Sequence, residues 1–253
     1  MTRDPSSVAA QDRSSAADLC LQARQLSKHF DTPAGSVPVL QQVDLEARSG
    51  DALAITGPSG SGKSTLLHLL GTLDQPSSGS LLFDDLDPFE LPEQELARFR
   101  NAVVGFVFQD HHLLPQYSLL ENVLLPTLAF PRDVEGDAEA RARQLLERVG
   151  LSHRLDHRPS QLSGGERQRT AIARALIRSP RVLLCDEPTG NLDEDTADAV
   201  ANLLFELHEQ ENTLLMVITH SPELAARFPR RLALVGGRLE ETAVDGARGD
   251  SDG

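Results

Sequence analysis

Cysteine is scarce: the chain holds two, Cys20 and Cys185, far apart and in no metal-like spacing. A disulfide framework is therefore not expected, and a reducing compartment fits. Positive charge is also in deficit, with 24 Lys and Arg against 38 Asp and Glu and a formal net charge of −14. Nucleic-acid binding draws on clustered cations, so a DNA or RNA partner is not expected. Long apolar runs are missing too. The longest, such as Leu214 to Ile218, fall far short of the roughly 20 residues that span a bilayer. Residues 1–18 mix Arg3, Asp4, Asp12 and Arg13 with Ser and Ala, without the apolar stretch of a secretory signal. Any membrane role must come through partners.

What remains is enough for one large domain: 253 residues, 40% of them hydrophobic and 25% charged. Residues 1–18 and 241–253 are polar, rich in Ser, Asp and Gly, and read as mobile tails around a body of 19–240. Leu19, Leu21 and Ala23, then Val43, Leu45 and Ala47, alternate as half-buried strands do and predict an antiparallel β flank. Ala52 to Thr56, Val182 to Cys185 and Leu214 to Thr219 are nearly continuous apolar runs, the pattern of strands covered on both faces of a parallel sheet. Helical stripes run through Ala138, Ala142, Leu145, Leu146 and Val149, ending at Gly150, through Ala171, Ile172, Ala175 and Leu176, and through Ala197, Val200, Ala201, Leu204 and Phe205. Alternation of this kind predicts an α/β domain, with a mostly helical insertion over about 91–160. No internal repeat is present.

Three motifs carry chemistry. Gly57-Pro58-Ser59-Gly60-Ser61-Gly62-Lys63-Ser64 follows a buried strand and precedes the helical run from Thr65 to Leu70. That is the context of a P-loop: glycines turn successive N–H groups inward around phosphates, Lys63 reaches the β and γ phosphates, and Ser64 holds Mg²⁺. Val182 to Glu187 is a buried strand ending in two carboxylates, of which Asp186 can hold Mg²⁺ through water and Glu187 can polarise an attacking water. Beside a P-loop this pair is more than a solvated strand end. Leu162-Ser163-Gly164-Gly165-Glu166 opens a helix, and Ser163 and Glu166 have capping-box spacing.

With the P-loop upstream and the Asp-Glu strand downstream, Leu-Ser-Gly-Gly resembles the signature of the ABC ATPases, the P-loop NTPases that drive ABC transporters. The resemblance covers nearly the whole of residues 19–240. It implies an ATPase that uses ATP and Mg²⁺ and works as a homodimer, with Ser163, Gly164 and Gly165 reaching the γ-phosphate held by the other copy. By the same resemblance Gln109 contacts Mg²⁺ and the attacking water and senses the membrane partner, Asn191-Leu192-Asp193 crosses the dimer interface, and His220 binds the γ-phosphate and orients Glu187. Phe30 stands where the family stacks an aromatic on adenine. His153 and His157 have the spacing of a helical metal pair, but no third ligand is evident, and His111 and His112 read as loop residues.

Too little chain follows His220 for the regulatory domain of many sugar importers. No heptads lie between Lys63 and Ser163, which sets aside the coiled-coil relatives that organise chromosomes. Gln109-Asp110-His111-His112-Leu113-Leu114-Pro115, Leu120-Glu121-Asn122-Val123 and His157 to Arg169 are similar to the lipoprotein-release branch of the family. That branch usually reads Gly-Gly-Leu-Asp where this chain has Gly71-Thr72-Leu73-Asp74. The resemblance implies two integral membrane subunits of the LolC/LolE kind and a peripheral place on the cytoplasmic face of a bacterial inner membrane. Macrolide-efflux and cell-division relatives share most of these motifs, and a stand-alone ATPase of nucleic-acid metabolism is disfavoured by the charge. The Leu- and Pro-rich stretch from Gln109 to Pro126 is the expected receptor for a helix of each membrane subunit.

Overall fold

In the computed structural model, which describes residues 20–33 and 35–242, the strands run in chain order β1 (Cys20–Thr32), β2 (Gly35–Arg48), β3 (Ala52–Thr56), β4 (Ser78–Phe83), β5 (Val104–Val107), β6 (Val182–Asp186), β7 (Leu214–Ile218), β8 (Arg230–Val235) and β9 (Arg238–Glu241). Helices α1 (Lys63–Leu70), α2 (Glu93–Val103), α3 (Leu119–Ala129), α4 (Ala138–Arg148), α5 (Gly164–Leu176), α6 (Glu194–Glu211) and α7 (Pro222–Ala226) are threaded between them.

The continuous apolar runs become the centre of a six-stranded sheet of order β5-β6-β7-β3-β8-β9, parallel except for β9. Alternate residues of each central strand enter opposite cores, which is why no polar phase appears in their sequence. Ala54, Leu183, Cys185, Leu215 and Val217 face a core shared with α3 to α6. Leu53, Ile55, Leu184, Met216 and Ile218 face the other, shared with α1 and the second sheet. That second sheet is antiparallel, of order β2-β1-β4, and the alternating residues found in sequence pair directly, Leu21 with Ala47 and Ala23 with Leu45. Helix α1 shares one core with residues of both sheets and buries Leu66, Leu67, Leu69 and Leu70 on a broad apolar face.

Two expectations need adjusting, and a third falls outside the described residues. Leu19 and the proposed N-terminal tail of residues 1–18 lie outside the described residues. At the other end Glu241 still pairs with Leu232 in β9, and only residues from 243 onward lie outside. The stretch 91–160 carries α2, α3 and α4, and the apolar run from Val103 to Phe108, which reads as a strand in sequence, supplies β5; that strand pairs in parallel with β6 and belongs to the main sheet rather than to the insertion. Its sequence, Val104-Gly105-Phe106-Val107, is apolar enough for that place. Gly105 lets it approach α5, because a Cβ there would lie 2.6 Å from the Ala175 carbonyl oxygen.

The departure at Thr72 has a structural cost. Thr72 ends the turn after α1 with φ 58, in the left-handed region, where a β-branched side chain is strained by about 1–2 kcal/mol. It is also buried, with its Oγ1 lacking a hydrogen-bond partner. Thr72→Gly removes both penalties and gives back part of the gain as a more flexible unfolded chain and a lost methyl contact. The expected net gain is about 1 kcal/mol, a rise in melting temperature of about 2–4 °C. A thermal melt in which the variant unfolds below the parent would refute this account.

Candidate active site

Ligand sites in parallel α/β sheets form where strands end at their carboxyl edge. Here the register sets those ends level: Ile218 of β7 pairs with Ile55 of β3 on one side and with Asp186 of β6 on the other. The segments that leave at this height are the Gly57 loop, Glu187 and Thr219-His220. Beyond β6 lies β5, whose exit carries Gln109. Four segments distant in sequence therefore open onto one edge of one sheet.

The loop from Gly57 to Gly62 wraps the start of α1. Gly62 caps that helix at φ 100 with no side-chain cap, so the first-turn amides of α1 are not spent on a protein side chain. Any Cβ on Gly62 would meet Val39 at 2.9 Å, so glycine is required by both conformation and space. Lys63 is buried, 6% exposed, and its ammonium donates to the carbonyls of Gly57 and Pro58, each at 3.0 Å. The Ser61 hydroxyl is buried without a partner. Free amides, a buried ammonium and an orphaned hydroxyl suit an anion. Ser59 of the loop and Ser64 in the first turn of α1 are exposed, and Thr65 is half-buried.

Glu187 sits one residue beyond β6 at φ 46, a conformation that costs a non-glycine residue of order 1–3 kcal/mol and persists only when its surroundings enforce it. Its amide donates to the Ile218 carbonyl at 2.9 Å, and its Oε2 accepts from the His220 amide at 3.1 Å. The His220 Nε2 lies 3.3 Å from Oε1, but the geometry is not that of a hydrogen bond, and Oε1 stays buried and unpartnered. A carboxylate oxygen with nothing to accept is poised to take a proton. Glu187, His220, Gln109, Thr189, Gly190 and Ser221 line part of one cleft of about 820 Å³.

Gln109 is exposed, and its Nε2 donates to Asn191 Oδ1 at 3.1 Å. Asp193 caps α6, accepting from the Thr196 amide at 3.0 Å, and that hydrogen bond holds its carboxyl below the usual range. The sequence motif around Ser163 folds as its spacing predicts. Ser163 Oγ accepts from the Glu166 amide and Glu166 Oε2 accepts from the Ser163 amide, a reciprocal cap on α5. Because Oγ accepts here, its own O–H proton remains free to donate outward, and the residue is exposed. Those amide bonds also keep the Glu166 carboxyl below its ordinary pKa. Gly165, by contrast, is buried, and a Cβ there would lie 2.4 Å from Thr196 Cγ2. Ser163 is thus the exposed member of the signature, and Gly165 lets α5 close on α6.

Phe30 lies on the neighbouring sheet, 44% exposed, with Lys28 over its ring at 5.0 Å. It pairs with Val37, itself exposed and two residues along β2 from the Val39 that touches Gly62. Phe30 thus lies on the sheet that borders the P-loop at Val39. The histidines read as loop residues are indeed in loops. His111 is nearly buried, and burial, then the Arg167 charge, pull its pKa below the ordinary value. Among the described residues no group of three or more His, Cys, Asp or Glu is placed to hold a metal ion. Sequence reasoning missed Asn122. Its buried side chain accepts from the Leu114 amide at 2.7 Å and donates to the carbonyls of Leu114, Tyr117 and Ser118. It fixes the loop that follows Gln109, a role that its place in the motif Leu120-Glu121-Asn122-Val123 did not by itself disclose.

The family model described as "ABC transporter" matches residues 40–190. The chain is 52% identical over 215 residues to the lipoprotein-releasing system ATP-binding protein LolD 1 of Rhodopirellula baltica, covering 85% of this chain and 93% of that one. It is 48% identical over 221 residues to the LolD of Myxococcus xanthus, covering 87% and 98%. Among solved structures it resembles a dimeric ATP-binding cassette in a post-hydrolysis state with ADP and phosphate. That likeness has a TM-score of 0.81 and 34% identity, over 90% of this chain and all of that one.

Proposed function

Because the chain belongs to the ABC transporter ATP-binding family, whose members hydrolyse ATP, we propose that it works as a homodimer on two membrane subunits to release lipoproteins from a bacterial inner membrane. The observation that carries the ATPase reading is the alignment of Lys63, Asp186, Glu187, His220 and Gln109 on one sheet edge. The lipoprotein assignment rests on the identity to LolD over most of the chain. No helix among the described residues is long and apolar enough to cross a membrane, so membrane subunits of the LolC/LolE kind would hold the chain at the cytoplasmic face.

Lys63 and the first amides of α1 bind the phosphates of ATP, and the exposed ring of Phe30 offers a face for adenine. Glu187, held by the His220 amide, accepts the proton of the attacking water at Oε1. His220, more than half exposed, can swing between Glu187 and the γ-phosphate. Bound Mg²⁺, which Ser64, Asp186 and Gln109 would hold, supplies positive charge to the phosphate oxygens. Ser163 completes the site of the second copy by donating its free hydroxyl proton, and Asp193, fixed at the start of α6, lines the contact between copies.

The stretch after Gln109 divides its leucines. Leu119 is buried, and Leu120 and Leu124 pack against the main core. Leu114 and Tyr117 are each 38% exposed, on the loop that Asn122 fixes. These two suit a helix of the membrane subunit. Leu114→Asp is expected to detach the ATPase from co-expressed membrane subunits in mild detergent and to stop lipoprotein release from spheroplasts, since one apolar anchor can hold more than about 2 kcal/mol of binding energy. ATP turnover of the isolated subunit should stay near the parent value. If the parent chain itself captures no such membrane subunits, the lipoprotein reading fails. If it does and the variant still binds and releases, the docking surface lies elsewhere.

A further inference from the structure

The loop after Gln109 makes an uncommon turn. His111 and His112 both occupy the left-handed region, at φ 61 and φ 47, and neither is glycine. Two successive residues of this kind revert to ordinary backbone unless something outside the loop holds them. Within the loop the His111 amide donates to the Phe108 carbonyl at 3.1 Å and the His112 amide to the Asp110 carbonyl at 2.6 Å. The carbonyls of both strained residues are held from outside by one side chain. Arg174 donates from Nη1 to the His112 carbonyl and from Nη2 to the His111 carbonyl, both at 2.6 Å.

Arg174 belongs to α5, the helix whose first residue is capped by Ser163. We propose that Arg174 is a positioning residue: its two-pronged grip ties the Gln109 loop to the helix carrying Ser163, so the loop that serves one nucleotide and the serine that serves the other copy's nucleotide move as one body. The chemistry favours arginine here, because its planar fork can hold two adjacent carbonyls at once, whereas an ammonium on a flexible stem cannot fix both directions. The link gives docking near Leu114 a route to the trans site that does not pass through the nucleotide. The proposal rests on the reading that Gln109 acts at the nucleotide.

The test is a double-mutant cycle in full-length protein, with Mg-ATP turnover and hydrogen exchange as readouts. Arg174→Lys should lower kcat by about ten- to a hundredfold, the scale of a small misplacement of an active-site group. KM for ATP and the melting temperature should move little. In a Gln109→Ala background the same change should cost almost nothing further, because its effect passes through Gln109. His112→Gly, at an exposed position where glycine adopts positive φ freely, should restore much of the turnover of Arg174→Lys. Exchange of the amides of residues 108–114 should speed up in Arg174→Lys and slow again in the rescued variant. Equal losses in both backgrounds, or unchanged exchange in the loop, would overturn the tie. Should Gln109→Ala turn over ATP at the parent rate, the role of Gln109 fails while the exchange result still decides whether Arg174 holds the loop.

Discussion

Glu187→Gln is expected to lower ATP turnover by about 10²- to 10⁴-fold, the usual contribution of a positioned base, while leaving ATP binding nearly intact. The amide keeps the side-chain length and an oxygen for the His220 amide, which now donates to Glu187 Oε2 at 3.1 Å. It removes only the capacity to take up a proton. Because hydrolysis is blocked after binding, the variant should accumulate as an ATP-dependent dimer, visible by light scattering, where the parent returns to monomer. The structure adds a second consequence. Glu187 Oε1 is buried without a partner, so replacing the carboxylate by a neutral amide lowers a desolvation penalty. The melting temperature without nucleotide should hold steady or rise, the usual trade of stability against function at an active site. Near-parent turnover would remove Glu187 from the role of base, and a drop in melting temperature would mean that its carboxylate is structural.

The order of the motifs made the candidate site readable in the sequence, because each depends on backbone constraints visible as residue type. Glycine at 62 reports a left-handed cap against Val39, and the Ser163 and Glu166 spacing reports a reciprocal cap. Buried strands were legible for the same reason: β3, β6 and β7 show both faces as apolar. What stayed hidden was long-range and polar. Nothing near Arg174 announces that it reaches back to His111 and His112, 63 and 62 residues away. Nor does Thr72 declare its positive φ, except as a threonine where the resembling branch has glycine. β8 and β9 were not anticipated, since Arg230 and Arg231 open a strand of which only alternate residues are buried. The leucines after Gln109 could be counted but not apportioned, because which of them pack depends on α5, supplied by residues 164–176.

Two inactive variants should regain activity when mixed. Lys63→Ala removes an ammonium that donates to the Gly57 and Pro58 carbonyls from a residue only 6% exposed. Losing a buried charged partner of a phosphate costs about 2–5 kcal/mol, so this variant should bind ATP some 30-fold more weakly or worse. Ser163→Arg leaves the P-loop whole but fills the exposed start of α5 and deletes a helix cap worth about 1 kcal/mol. It should bind ATP and fail to close on a second copy. In a homodimer of either kind both composite sites are defective. In a mixed dimer the Lys63→Ala copy brings an intact Ser163 to the intact P-loop of the other copy, and one of two sites is whole. Random exchange makes half the dimers mixed, so recovery should approach about a quarter of parent turnover if sites act alone, and less if they cooperate. Independently of rate, the mixed dimer should retain one nucleotide per pair. If the mixture is no more active than its parts and traps no nucleotide, while both variants melt as folded protein, Ser163 does not act across a dimer interface and each copy closes its own site.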